Sequence, residues 1–265
     1  MTTDSQHRRR TRTTAGAAAL VALLAAATTA CGAGAADSDP HPDHRSFALS
    51  GSRLTIVAQN TDLTLAPADV DQVKVERRIK IWKAGGGANV SWSLSGSTLN
   101  LKVDCGWGLG SCSVHHVVQV PRNVTVTVQG GNGDVDASGF STPLSITGTN
   151  GDIAATGGGT AAAVTLRTTN GDIAATAVHA GQISARTTNG DVDLSFAAVP
   201  ARVSADSRSG DVTLHLPDGP TGYRLDLSSR VGTVHRGDLP TAQDDAHTIS
   251  AASGTGDITL LHDGH

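Results

Sequence analysis

Six aspartates recur at a spacing that could do chemistry. Asp134, Asp152, Asp172, Asp191, Asp211 and Asp257 each follow a glycine (Gly133, Gly151, Gly171, Gly190, Gly210, Gly256), and each precedes Val or Ile. Carboxylates held a few ångströms apart repel one another, and a hard, oxygen-seeking cation such as Ca²⁺ relieves that repulsion. The competing chemistry is local: a turn Asp accepts backbone N–H groups of its own corner, and water and salt screen its charge. Two features favour the local role. Calcium-binding Gly-Gly-x-Gly-x-Asp nonapeptides place their Asp one residue further along and repeat with a nonapeptide period. The run Gly130-Gly131-Asn132-Gly133-Asp134 does neither, and Val231-Gly232-Thr233-Val234 keeps the Gly while putting Thr in the Asp column. Backbone need therefore ranks above carboxylate chemistry. These residues are read as structural turns, with no metal site and no cofactor.

Flanking columns define the elements that carry the corners. The Asp positions, Thr233 included, are 18, 20, 19, 20, 22 and 24 residues apart. Eight residues before them stand Val126, Leu144, Val164, Ile183, Val203, Leu225 and Ile249; six before stand Val128, Ile146, Leu166, Ala185, Ala205, Leu227 and Ala251. Self-similarity at such a period is the mark of stacked repeats. Gly favours φ > 0, and Asn tolerates it, so Asn-Gly makes the reversal between two strands of one rung. The following Val or Ile points inward beneath its counterpart in the next rung. Rungs of this kind lie about 4.8 Å apart, so nine would span roughly 40 Å. The rival is an antiparallel β-meander in which each Asn-Gly closes a hairpin. Recurrence of the same residue types in the same columns, with variation confined to the opposite turns, favours the β-solenoid.

Fainter copies extend upstream. Asn60-Thr61-Asp62-Leu63 follows Leu54 and Ile56, and Gly96-Ser97-Thr98-Leu99 follows Val90 and Trp92, so corners are expected at Asp62 and Thr98. Extra strands are expected over Val73–Trp82 and Ser113–Val120. The folded part is then one elongated β-repeat domain over 47–262, with wider rungs in 47–128 and regular rungs in 129–262.

Outward-facing columns offer binding chemistry instead. Seven residues before each Asp position stand Thr127, Ser145, Thr165, Ser184, Ser204, Asp226 and Ser250, a flat polar strip able to hydrogen-bond a glycan or another surface. Arg167, Arg186, Arg208 and Arg230 lie on the same side in two different columns. For catalysis there is no Gly-x-Ser-x-Gly, no His-Glu-x-x-His and no phosphate-cradling Gly-rich loop leading into a helix. The chain is read as non-enzymatic.

The N-terminus is a processing signal. Arg8, Arg9, Arg10 and Arg12 precede an apolar stretch from Ala15 to Ala27, which ends in Thr28-Thr29-Ala30-Cys31-Gly32. Small residues directly before a Cys resemble the lipobox of bacterial lipoproteins, which implies removal of 1–30 and lipidation of Cys31. Residues 31–46 lack apolar periodicity and read as a lipid-anchored tether. With Cys31 lipidated, Cys105 and Cys112 remain, in a compartment where disulfides persist, and they are read as a pair. The export route, Sec or Tat, stays open. Nothing after residue 30 is apolar for long enough to span a bilayer, and a net charge of −4 with mixed signs leaves no nucleic-acid footprint.

The repeated Asn-Gly-Asp-Val/Ile, the strand Val73-Lys74-Val75-Glu76-Arg77, the Cys105–Cys112 segment before Val118-Gln119-Val120-Pro121 and the run Val124 to Asp134 together resemble the DUF4097 family of bacterial surface proteins, labelled as candidate adhesins. The resemblance covers roughly residues 50 to 262. It implies a β-helix-like fold at the cell surface and brings no catalytic residues. The expected function is a non-catalytic, membrane-anchored, extracytoplasmic scaffold for adhesion or interaction, with an unknown surface glycan or protein as partner. The alternatives are an envelope-associated regulatory or sensing partner of another membrane protein and, more remotely, a glycan-acting enzyme on a β-helix.

Overall fold

The computed structural model describes residues 39–84, 89–106, 109–158, 163–217, 222–242 and 246–262. All of them fall in one compact unit, Gly32–His265. The signal segment 1–30, Cys31 and the tether up to residue 38 lie outside the described residues.

The regular part alternates strands of two sheets. In chain order the N-terminal strands are β1 (Asp43–Phe47), β2 (Arg53–Gln59), β3 (Asp62–Ala68), β4 (Val73–Ala84), β5 (Asn89–Ser95), β6 (Thr98–Asp104) and β7 (Leu109–Pro121). The repeats follow as β8 (Thr125–Gly130), β9 (Val135–Ser138), β10 (Leu144–Thr147), β11 (Ile153–Thr156), β12 (Ala163–Arg167), β13 (Ile173–Val178), β14 (Gln182–Asn189), β15 (Val192–Phe196), β16 (Arg202–Ser209) and β17 (Val212–Leu216). The chain ends in β18 (Arg224–Val231), β19 (Val234–His235), β20 (Thr248–Thr255) and β21 (Ile258–His262). Sheet A runs β1-β4-β7-β3-β9-β11-β13-β15-β17-β21-β19, and sheet B runs β18-β20-β16-β14-β12-β10-β8-β2-β6-β5.

Each repeat contributes one strand to sheet B, turns at Asn-Gly-Asp, and contributes the next strand to sheet A. Neighbouring repeats pair parallel and in register: Leu144 faces Val126 and Val164, and Ile153 faces Val135 and Ile173. The antiparallel meander is therefore excluded for the repeats, and the stack is β-solenoid-like. Period-two sequence dictates the packing, since alternate side chains of a strand point to opposite faces. β16 shows it, with Val203, Ala205 and Ser207 buried between strand neighbours that reach solvent. Burying one Val or Ile side chain is worth about 1.5–3 kcal/mol. A lone rung has nothing to bury its apolar face against, so stability comes from stacking.

The C-terminal rungs stack out of chain order. β20 lies between β16 and β18, and β21 between β17 and β19. The repeat ending in Gly256-Asp257 thus inserts between those of Gly210-Asp211 and Gly232-Thr233. Thr233 does not interrupt the Asp column, as its place in the sequence suggests; it ends the column.

The N-terminal third adds a rung and then departs from the pattern. Leu54, Ile56 and Leu63 align with Val126, Val128 and Val135, so β2–β3 is a rung with its corner at Asp62, as expected. The expected corner at Thr98 is corrected. Gly96-Ser97 closes an antiparallel hairpin between β5 and β6, and Leu99 stands opposite Ile56. Where the chain passes from β6 to β7, Cys105 and Cys112 are disulfide-bonded with Cα atoms 6.1 Å apart. β4 folds antiparallel onto β7, and β1 onto β4. Strand structure begins before residue 47, where the sequence places the start of the β-repeat domain: β1 starts at Asp43, and Asp39 Oδ2 accepts the Ile79 N–H at 2.9 Å. Phe47 is the only buried residue of β1, which is why no apolar period marked it.

Candidate functional site

The corner is built by the backbone. Gly133, Gly151, Gly171, Gly190, Gly210 and Gly256 have φ between +123° and +148°. A Cβ on Gly171 would overlap the carbonyl of Gly151 in the rung below, and the same overlap recurs up the stack. Glycine is required twice over, by the left-handed backbone and by the close approach. Each Asp then serves the next rung. Asp134 Oδ1 accepts the Asp152 N–H at 2.9 Å, Asp152 Oδ1 that of Asp172 at 2.8 Å, and Asp172 Oδ1 that of Asp191 at 2.8 Å. The ladder begins at Asp62, which takes the Asp134 N–H, and ends where Asp257 Oδ1 accepts the Thr233 N–H at 2.7 Å. Thr233 closes the stack and has no further rung to serve. Two residues before each Asp, Asn side chains form a second ladder: Asn132 donates to Asn60, Asn150 to Asn132, Asn170 to Asn150 and Asn189 to Asn170, at 2.6–2.7 Å.

A buried hydroxyl column completes the corner. Thr168, Thr187, Ser207, Ser253 and Ser229 donate to the carbonyls of Gly151, Gly171, Gly190, Gly210 and Gly256, at 2.8–3.2 Å. A buried carbonyl without a partner costs about 1–3 kcal/mol, so these donors are structural. Sequence reading missed them, although a Thr or Ser four residues before the Asp position recurs from the third regular copy onward.

The carboxylates are thus engaged one after another by backbone N–H groups. Among the described residues, no group of three His, Cys, Asp or Glu is arranged to hold a metal ion. One further acid lies beside the column: Asp136, whose pKa is raised by burial and by Asp134, with His115 opposing.

The N-terminal end of the stack carries a different cluster. Trp92 packs edge-on against Phe47 with ring centroids 6.5 Å apart, and the Arg77 guanidinium carbon sits 4.2 Å above the Trp92 ring. Arg77 also pairs with Asp43 at 2.7 Å. Beside them His116 is fully buried, its Nδ1 2.9 Å from Thr61 Oγ1. That hydroxyl has one proton and lies within reach of two carbonyl oxygens, Val114 at 2.8 Å and Asp62 at 3.1 Å. With the Thr61 hydroxyl donating to a carbonyl, His116 donates to it from Nδ1, which leaves Nε2 unprotonated, and among the described residues Nε2 has no partner. Burial, aided by the positive charge of Arg77 and then by His115, pushes the His116 pKa down to about 3. The imidazole is neutral throughout the physiological range.

The outer face of sheet B carries the polar strip. Its hydroxyls stand in register across eight strands: Thr98, Thr55, Thr127, Ser145, Thr165, Ser184, Ser204 and Ser250, followed by Asp226. Thr98, read as a corner, belongs to this column. Arg167 stands directly opposite Arg186, and Arg186 opposite Asp206, with Arg186–Asp206 paired at 2.9 Å.

Residues 122–261 match Toastrack DUF4097. The chain belongs to that family. Among solved structures, a candidate cell adhesion protein from Clostridium sporogenes ATCC 15579 is 11% identical, with a TM-score of 0.42 over 85% of this chain and 100% of that one. A candidate adhesin from Bacteroides fragilis NCTC 9343 is 12% identical, with a TM-score of 0.42 over 84% of this chain and 98% of that one. No curated protein matches.

In this toastrack chain, then, the structure gathers the corner residues into continuous ladders. It brings Arg167, Arg186 and Arg208 onto adjacent strands and sets Arg230 apart, because β20 intervenes between β16 and β18. Two residues of the N-terminal cluster, Arg77 and His116, had no sequence signal beyond their place on strands, since their meeting depends on the antiparallel register of β4 and β7.

Proposed function

We infer that the protein is a membrane-anchored, extracytoplasmic and non-catalytic scaffold whose stacked sheets present a surface for adhesion or interaction. The observation that carries this reading is the hydroxyl column of sheet B, eight residues in register on a flat outer face. Hydrogen-bonding groups repeated at the strand spacing of about 4.8 Å suit an extended partner better than a small molecule held in a pocket. Engagement of the corner carboxylates by backbone N–H groups supports a scaffold over an enzyme. The lipobox at Cys31 and the Cys105–Cys112 disulfide support the location, because disulfides persist outside the cytoplasm.

Two experiments test it. Full-length protein recovered from native membranes is expected to bind envelope material or whole cells. Capture of a stoichiometric membrane-protein partner with no such binding contradicts adhesion and favours the sensing role. For the anchor, processing is expected to be globomycin-sensitive, and Cys31→Ser is expected to leave the membrane fraction. A Cys31→Ser protein that stays membrane-bound contradicts lipidation.

A further inference from the structure

We propose that the outer face of β12, β14, β16 and β20 is a binding track for a linear anionic glycopolymer, with Arg167, Arg186 and Arg208 holding its anions and the adjacent hydroxyl column its sugar or alditol hydroxyls. The proposal rests on the scaffold reading and names its partner.

Charge is distributed unevenly in this chain, whose net charge is −4. Arg53 on β2 and Arg224 and Arg230 on β18 stand apart, while four outward, exposed arginines gather on three adjacent strands of sheet B: Arg167 on β12, Arg186 on β14, Arg202 and Arg208 on β16. The carboxylate among them is Asp206, which pairs with Arg186 and accepts from Ser204. The side chains of Arg167 and Arg208 have no ion-pair or hydrogen-bond partner among the described residues. Arg167 also stands opposite Arg186 in the parallel ladder, and like charges placed directly across strands are destabilising. An anion bridging them removes that repulsion, and guanidinium groups bind carboxylate or phosphate with two parallel hydrogen bonds.

Shape and surroundings select the partner. Arg186, Thr188, Asp206, Arg208 and Ala252 line a shallow depression of about 280 Å³, formed where β20 offers only the small Ala252 and Gly254. From β12 to β16 the arginines advance by two strand spacings, about 10 Å along the stack. A polymer charged at each unit, with units about one strand spacing (~5 Å) long, sets an anion over each of the three strands. Past the ends of these strands, in the corners, stand the exposed acids Asp172, Asp191 and Asp211, which repel an anion straying across the strands. The polymer is thereby confined to run along the stack, over the hydroxyls of Thr165, Ser184, Ser204 and Ser250. The face bears no aromatic or large apolar side chain to enter a bilayer interface or to stack on bases, which disfavours a lipid surface and single-stranded nucleic acid.

The test uses full-length protein in a non-ionic detergent, with polygalacturonate as probe and dextran and polyphosphate as comparisons. Polygalacturonate is expected to bind, more weakly as salt rises, and dextran is not. Replacing Arg167, Arg186 and Arg208 together by Gln is expected to weaken binding about thirty-fold or more, in line with the loss of several charge-assisted contacts. A charge-matched control, Lys74→Gln with Arg122→Gln and Arg236→Gln, is expected to stay within about two-fold of wild type, since those residues lie off this face. Equal losses in the two triple variants overturn the track, as does an unchanged Arg triple variant. Absence of polygalacturonate binding, or equal binding of polyphosphate, overturns the assignment to a glycopolymer. Protein that ignores polygalacturonate yet is retained by envelope material loses this inference and keeps the scaffold reading.

Discussion

The repeats after residue 122 and the strands before it solve the same problem differently. In the repeats the chain reverses between sheets at a glycine whose carbonyl lies against the next rung, and each Asp and Asn side chain completes the hydrogen bonding of its neighbour. The device is local, keeps its glycine in every rung, and extends itself. In the N-terminal third the β6–β7 corner is replaced by a disulfide-clipped segment, and the end of the stack is closed by antiparallel strands over Arg77, Trp92 and His116. That region relies on long-range contacts made once. A stack can be propagated by a short repeated phrase, whereas its end needs residues that occur nowhere else.

Substitutions sharpen the contrast. The largest effect is expected from Gly171→Ala, which drives a Cβ into the Gly151 carbonyl at a backbone φ of +145°. A loss of at least about 4 kcal/mol is expected in chemical denaturation, because neither rung can shift without breaking its ladders. Removing the disulfide with Cys105→Ser and Cys112→Ser is expected to cost about 2–3 kcal/mol, read as a lower denaturation midpoint. His116 gives a pH dependence confined to the N-terminal end. Its folded pKa, about 3, lies below the ordinary value of 6.5, so the unfolded chain binds the extra proton between those values. Stability is then fully present above pH 6.5 and falls as the pH drops toward 3, by up to about 1.4 kcal/mol per unit. His116→Met is expected to flatten that slope in denaturation curves taken across the acid range. The smallest effect is expected from Asp172→Asn, which keeps an oxygen to accept the Asp191 N–H; a change within about 0.5 kcal/mol is expected in the same assay.

Much of the stack was legible in the sequence, because its cause is periodic. The apolar columns, the glycine at each corner and the faint corner at Asp62 followed from spacing alone. Three features did not. The insertion of β20–β21 between two earlier rungs leaves the spacing of Gly256 and Asp257 unchanged, so Thr233 looked like a gap when it is the end of the column. Thr98 had apolar residues at matching offsets, yet its neighbours Val90 and Trp92 lie on an antiparallel strand, and two matching columns do not distinguish a hairpin from a rung. The Arg77–Trp92–His116 cluster joins residues from three strands, and nothing in their sequence separation reports the register that brings them together. On the outer face of sheet B, the hydroxyl and arginine columns were visible as sequence patterns, but the depression beside Ala252 depends on which strand became the neighbour of β16.

That the corner aspartates serve the backbone and not a cation is tested most directly by thermal melting of the full-length protein in millimolar calcium and in excess EDTA. Each carboxylate from Asp62 to Asp257 already accepts an N–H from the next rung, so the two melting temperatures are expected to agree to within about 1 °C. A calcium ion bound in the column at a hundred times its dissociation constant would add about 2.7 kcal/mol and raise the melting temperature by roughly 5–10 °C. A rise of that size would contradict the account.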